Sequence, residues 1–305
     1  MIEMKNETKG TILAILAAVI SGIAIPLNKF FIVDLDPTVF TAVRSIIIGV
    51  IFLIISLWQA KSSHRKFKTV SWKYLLAIAA IGGAFAFLLF FNGLRLTTAG
   101  RGAFLHKTLP LYAAVLAFIF LKEKITKRTA FALLTMFAGM ILIYSTQITP
   151  SEIWENPQLG DFLVIGAAFL WAIESIIVKK AMNNGETNFV ISFARMFFGG
   201  IILFGIALLL GKAQEILSLS IGQWINILAS TAILFGYVFA WYWAVKKINV
   251  SKASSLLLIA PVISLAGGVL LFNEPAPLLQ LVGSAFILAG AYFAASARSE
   301  ALIKI

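Results

Sequence analysis

Three ionisable side chains, His106, Lys107 and Glu174, sit inside long apolar runs of this chain, where no local charge neutralises them. An ionised group at the centre of a membrane-spanning helix costs at least about 2.5–3.5 kcal/mol on insertion scales, so such residues are candidates for function. Lys107 is followed by the apolar stretch Leu109 to Leu121, which blocks snorkelling in that direction. Arg101 lies six residues before it, about 9 Å along a helix, so partial snorkelling that way or a structural pair competes with a cavity-facing role. Glu174 stands in Trp171-Ala172-Ile173-Glu174-Ser175 and suits an ammonium-binding or proton-coupling carboxylate, against a structural Glu kept protonated or paired with a Lys. Trp171, Asn92 and Tyr242, with Phe85, Phe87, Phe90 and Phe91, could line an aromatic pocket or form an interfacial belt. Pro110 and Pro261 each remove a helical hydrogen bond, freeing the carbonyls of His106 and Leu257 and kinking their helices. Arg44 and Arg195 lie a few residues into apolar runs and read as structural charges that snorkel or meet Asp34, Asp36 or Glu186.

The setting follows from composition. Of 305 residues, 60% are hydrophobic and only 12% charged, whereas soluble domains carry about 25% charged residues. Backbone polar groups in hydrocarbon must be satisfied internally, which leaves helices or a closed barrel, and long continuous apolar runs select helices. Such runs fall at about 10–31, 37–58, 74–94, 98–121, 128–146, 159–181, 188–210, 223–245, 250–272 and 276–296. The first is too long for the apolar core of a signal peptide and is read as a retained helix. The fold class expected is an all-α polytopic membrane protein of ten transmembrane helices.

Lys and Arg set the orientation. On the face of the N-terminus lie 18 of them, including Lys5, Lys61, Lys66, Lys124, Arg128, Lys180, Lys247 and Arg298, against four (Lys29, Arg95, Arg101 and Lys212) on the other. Both termini are therefore expected in the cytoplasm, with the chain multi-pass in the cytoplasmic membrane. The net charge of +12 reads as topogenic charge facing lipid, not as a nucleic-acid surface. There is no Cys, and there is no Walker A loop, HExxH, dinucleotide fingerprint or G-x-S-x-G elbow. No catalytic residue, metal site or cofactor is expected.

A shift of 151 residues superposes Lys29 on Lys180, Arg44 on Arg195, Gly49 on Gly200, Pro110 on Pro261, Glu123 on Glu274 and Gly139 on Gly290. Residues 1–148 and 149–305 then form two repeats of five helices. An odd number per repeat turns the second upside down in the bilayer, the arrangement of secondary transporters that alternate access around a midplane site. His106, Lys107 and Glu174 have Leu257, Leu258 and Ile23 at the equivalent positions, which singles them out. Small residues Gly283, Gly290 and Ala294 fit helix packing or a homodimer.

The stretches Leu94-Arg95-Leu96-Thr97-Thr98-Ala99, Leu109-Pro110, Leu121-Lys122-Glu123-Lys124 and Ala138-Gly139, then Val250-Ser251-Lys252-Ala253, Ala260-Pro261, Asn273-Glu274-Pro275 and Ala289-Gly290, resemble paired EamA domains of the drug/metabolite transporter superfamily. Neither repeat keeps the family's usual Leu-Gly-Glu. The resemblance implies transport of small organic metabolites, amino acids among them, and no enzymatic activity. With Lys107 holding a carboxylate and Glu174 an ammonium or proton, a zwitterion fits the residues best. Efflux of lipophilic cations is the alternative within transport, and a polytopic membrane enzyme or scaffold is the alternative outside it.

Overall fold

The computed structural model describes residues 2–32, 34–63, 71–146, 148, 153, 155–272 and 274–297. Lys66, Asn273 and Arg298, used in the sequence reading, lie outside them. Among the described residues there is no strand, and ten helices are long and apolar enough to cross a membrane. They are α1 (Ile2–Phe31), α2 (Pro37–Ser63), α3 (Trp72–Arg95), α4 (Gly100–Leu121), α5 (Lys127–Tyr144), α6 (Leu159–Asn183), α7 (Asn188–Leu209), α8 (Ile221–Lys247), α9 (Val250–Leu270) and α10 (Leu278–Ser296).

The helices begin where short polar side chains can take up free N–H groups. Asp36 accepts from the Thr38 and Val39 amides at 2.8 and 3.2 Å at the start of α2. Thr126 and Thr187 do the same for α5 and α7, while Gln158 with Asp161 and Ser220 with Gln223 form reciprocal boxes at α6 and α8. Such caps let the connections be short.

Packing runs mainly between the halves. α1 lies on α8 and α9, α6 lies on α3 and α4, and α2 packs on α7, α4 on α9 and α5 on α10. Exchanging the halves maps α1 on α6, α2 on α7 and so on. Every pairing just named then becomes itself or another on the same list, as a two-fold axis in the membrane plane requires. The small-residue face of α10 is used inside the chain. A Cβ on Gly283 would stand 2.6 Å from the Gly139 carbonyl oxygen, and one on Gly290 2.8 Å from that of Ala132. These residues draw α10 onto α5.

Four spans are interrupted. α4 breaks at Lys107–Thr108 between Ala99–His106 and Leu109–Leu121, and α9 narrows to a 3₁₀ turn at Leu257–Ile259 before Ala260–Phe272. Pro110 and Pro261 are each the second residue of the restarting segment, where a missing N–H costs nothing. The kinks expected of continuous helices are thus breaks with a fresh helix start. α3 and α7 instead widen into π-helix at Ala79–Phe85 and Ala194–Phe198, and these two wide turns pack on one another.

Candidate functional site

Extra residues in a π-turn push side chains and carbonyls out of register, and such turns recur at functional sites. Here they flank the one buried acid in mid-membrane. Glu174 reaches from α6 towards α3, where Gly82 makes room: a Cβ there would lie 2.3 Å from Glu174 Cγ. The Gly82 carbonyl, inside the π-turn, accepts the Trp171 Nε1–H at 3.1 Å. Tyr242 on α8 donates its hydroxyl to Glu174 Oε1. Arg195, in the π-turn of α7, brings Nε to 3.8 Å from the same oxygen. Glu174, Tyr242 and Arg195 are 1%, 0% and 4% exposed, so water does not screen this triad.

Arg44 and Arg195 do not snorkel. Arg44 is 1% exposed and meets neither Asp34 nor Asp36, while Glu186 accepts the Ser71 amide instead of meeting Arg195. Both guanidinium carbons lie over the ring of Phe87, at 5.6 and 5.5 Å from its centroid, an arrangement that suits the planar, weakly hydrated guanidinium. Arg44 also lies over Phe40 and Phe91 at 4.7 and 5.3 Å, and donates to Ser230 Oγ at 2.9 Å. Ser230 in turn donates to Asn28 Oδ1 at 2.8 Å, tying α1, α2 and α8 together.

His106 packs between Phe90 and Trp171, with ring centroids 5.0 and 5.3 Å away, and its Nδ1 is buried without a hydrogen-bond partner. Phe87, Phe90, Phe91 and Trp171 complete an aromatic cluster with it. Phe85 faces outward, and Trp243 packs with Phe189 and Phe239 away from this cluster. Asn92 donates to the Leu88 carbonyl at 2.8 Å and, with Thr38, Thr41, Phe87, Phe91 and Leu203, lines a crevice too narrow for a water molecule. Lys107, 2% exposed, does not snorkel to Arg101. Its Nζ lies 3.3 Å from Ser21 Oγ on α1. The structure brings Glu174, Tyr242, Trp171 and His106 together and adds Arg195, Arg44 and Phe87. No contact among the described residues brings Lys107 to Glu174. Arg101 is held elsewhere, by Asp161 and the Asn156 carbonyl.

At Pro37 the crevice adjoins a vestibule of about 400 Å³ lined by Ile32, Asp34, Leu35, Asp36 and Arg95. Burial raises the Asp36 carboxyl, but Lys212 and the Val39 and Thr38 amides outweigh it and hold the group below its ordinary range. On the opposite face, the face of the N-terminus, Glu123 closes the molecule. Its carboxylate accepts from the Val250 and Ser251 amides at 2.8 and 3.1 Å and from Ser251 Oγ at 2.7 Å, capping the first turn of α9. Glu274, its repeat equivalent, sits in the same turn: each Glu amide donates at 3.2 Å to the carbonyl six residues before it, Ala117 and Gly268. Yet Glu274 is exposed and lies over Gly268, and among the described residues its carboxylate has no bond to α4.

Ten apolar helices, an inverted repeat and buried polar side chains between the repeats define a multi-pass membrane protein of the transporter class, not an enzyme. A family model described as the EamA-like transporter family matches residues 8–145 and again 158–296, one stretch in each half. The chain belongs to that family, part of the drug/metabolite transporter superfamily. It is 24% identical over 280 residues to the uncharacterized transporter YyaM of Bacillus subtilis (strain 168), covering 90% of this chain and 89% of that one. An uncharacterized transporter of Archaeoglobus fulgidus is 28% identical over 280 residues, covering 89% and 93%. A crystal structure at 17% identity superposes with a TM-score of 0.75 over 93% of this chain and 96% of the other, a likeness of fold.

Proposed function

We propose that this transporter is a secondary carrier in the cytoplasmic membrane, both termini cytoplasmic, which moves small organic metabolites by alternating access. The observation that carries the reading is the unequal state of two equivalent groups. Glu123 is docked on the first turn of α9, while Glu274 is exposed and lies over Gly268, its carboxylate making no bond to α4 among the described residues. In the alternate state Glu274 would take the Ala99 and Gly100 amides, the repeat equivalents of Val250 and Ser251, and Glu123 would let go. The paired breaks at Lys107–Thr108 and Leu257–Ile259 lie where the two halves would hinge.

For substrate, the buried polar cluster supports a compact organic molecule with a carboxylate and an apolar body, amino acids being the first class to test. Arg44 and Arg195 take over the carboxylate-binding part that Lys107 had in the sequence reading, because they lie beside the aromatic cluster and Lys107 contacts α1. Two guanidiniums against one carboxylate oppose the alternative, a lipophilic cation. The test is counterflow of labelled phenylalanine into proteoliposomes. Wild-type protein is expected to exchange it, and Glu174→Gln and Arg195→Gln to lose most of the rate. Exchange at wild-type rate by both variants refutes the site.

A further inference from the structure

The repeat hands each half an arginine but arms only one with a counter-ion. Arg195 has Glu174 and Tyr242. Shifted by 151 residues, those positions hold Ile23 and Phe91, and Phe91 does lie against Arg44 as Tyr242 lies against Arg195, at 5.3 and 5.7 Å. The pseudo-symmetry is kept in the aromatic neighbour and broken in the acid. A guanidinium carries five N–H donors. That of Arg44 has Ser230 as its hydrogen-bond partner and a buried Nε with none. Arg195 also keeps its buried Nε and Nη1 without a hydrogen bond, but the Glu174 carboxylate 3.8 Å away offsets its charge, and Arg44 has no such acid beside it among the described residues. Leaving such a charge unpaired in a dry interior is costly unless a ligand completes it. Arg44 is also well placed to receive one. It stands one helical turn below Thr41, and Thr41, Phe87 and Phe91 wall the narrow crevice that adjoins the vestibule at Pro37.

We infer that Arg44 is the carboxylate-binding residue of the central site, with the ligand's carboxylate filling the part that Glu174 plays for Arg195, and that the substrate is bound as a net organic anion. This rests on the carrier reading and narrows it. Glu174 meets Arg195 and Tyr242 at Oε1 and its charge is already offset by Arg195, so a zwitterion's ammonium finds no unbalanced anion there. A monoanion brings the two guanidiniums and two carboxylates to balance. The aromatic cluster of Phe87, Phe90, Phe91 and Trp171 offers the apolar body its surface.

Three probes share one ring and differ in charge: hydrocinnamate (anion), phenylalanine (zwitterion) and phenethylamine (cation). Binding to the purified full chain is read at neutral pH from ligand-dependent thermal stabilisation. Hydrocinnamate is expected to bind about tenfold tighter than phenylalanine, the worth of one charge-assisted hydrogen bond, and phenethylamine weakest. Arg44→Gln should abolish hydrocinnamate binding, and Arg44→Lys should weaken it about tenfold by losing the planar fork. Stabilisation by none of the three, a reversed order, or full hydrocinnamate affinity in Arg44→Gln overturns the inference. Should Arg44→Gln fail to fold, the wild-type order decides, together with Ser230→Ala, which leaves Arg44 Nη1 without its partner and should tighten hydrocinnamate binding several-fold. Binding in the expected order without counterflow overturns the carrier reading and leaves Arg44 in place. Counterflow with the charge order reversed does the opposite.

Discussion

Replacing Glu123 by Gln removes the charge that closes the N-terminal face while keeping the shape of the side chain. The carboxylate accepts three hydrogen bonds, two from the free amides of the opening turn of α9 and one from Ser251 Oγ. Hydrogen bonds to charged groups contribute about 1.5–3 kcal/mol each, and an anion at a helix start adds about 0.3–1. The amide of Gln keeps one acceptor oxygen, so the net loss is about 2–3 kcal/mol, and it falls only on the state in which the latch is engaged. At 1.4 kcal/mol per factor of ten, the ratio of the two access states should move roughly 30- to 150-fold. The chain has no native Cys, so single reporters can be read without background. Ser255→Cys lies buried beneath the latched turn, and Asp34→Cys is exposed in the vestibule. In membranes, Glu123→Gln should raise the reaction of Ser255→Cys with an impermeant thiol reagent added at the N-terminal face and lower that of Asp34→Cys from the other. Glu274→Gln should change neither rate in that direction. Unchanged labelling of both reporters in a monodisperse Glu123→Gln protein refutes the latch.

Three further outcomes follow from single contacts. Gly82→Ala puts a methyl group 2.3 Å from Glu174 Cγ, which should cost about 1–3 kcal/mol of stability by overpacking and most of the transport rate by displacing the carboxylate; a variant with wild-type melting and wild-type flux refutes that placement. Lys122 holds φ at +54° after α4, in the left-handed region, so Lys122→Gly should raise thermal stability by about 1 kcal/mol or less, and a lowered melting point counts against the strain. Asp36 is held below its ordinary 3.8 by Lys212 and two amides that outweigh the opposing effect of burial. Its contribution is therefore complete above that value and fades as pH falls through the lower folded value; stability measured in acid should fall there in wild type and not in Asp36→Asn.

The frame was legible because hydrophobic run length and the 151-residue register are properties of sequence alone. Five spans per repeat, the proline pair and the Glu pair all correspond to features of the structure. What escaped the sequence was contact between helices. Arg195 and Glu174 are 21 residues apart and on different helices, so no periodicity links them, and Arg44 looked like an interfacial charge because depth in a run does not say which way a side chain points. Lys107 was rightly placed in the middle of its span, but a neighbour on a helix turns by about 100°, and that rotation sent it to Ser21 while His106 met Trp171. The π-turns left one trace, the pairs Gly82-Gly83 and Gly199-Gly200, which mark where α3 and α7 come close enough for a Cβ on Gly199 to lie 2.7 Å from the Gly83 carbonyl oxygen.

An inverted repeat with identical halves has two access states related by its two-fold axis, and they must then be equal in energy. Every difference between the halves is thus a bias on that equilibrium or a mark of the ligand. At the gates the difference is one methyl group. Ala117 carries a Cβ, while at the equivalent Gly268 a Cβ would meet Glu274 Oε2 at 2.3 Å. Glu274 can therefore fold back over its own helix, whereas Glu123 in the same turn is steered outward to α9. That asymmetry favours the state with the vestibule open. At the centre, the difference that falls on the two arginines is one acid: Glu174 neutralises Arg195, and Ile23 leaves Arg44 to the ligand. A substrate that supplied the missing carboxylate would complete the symmetry of the site, reducing the cost of burying it between the halves and so of passing from one state to the other.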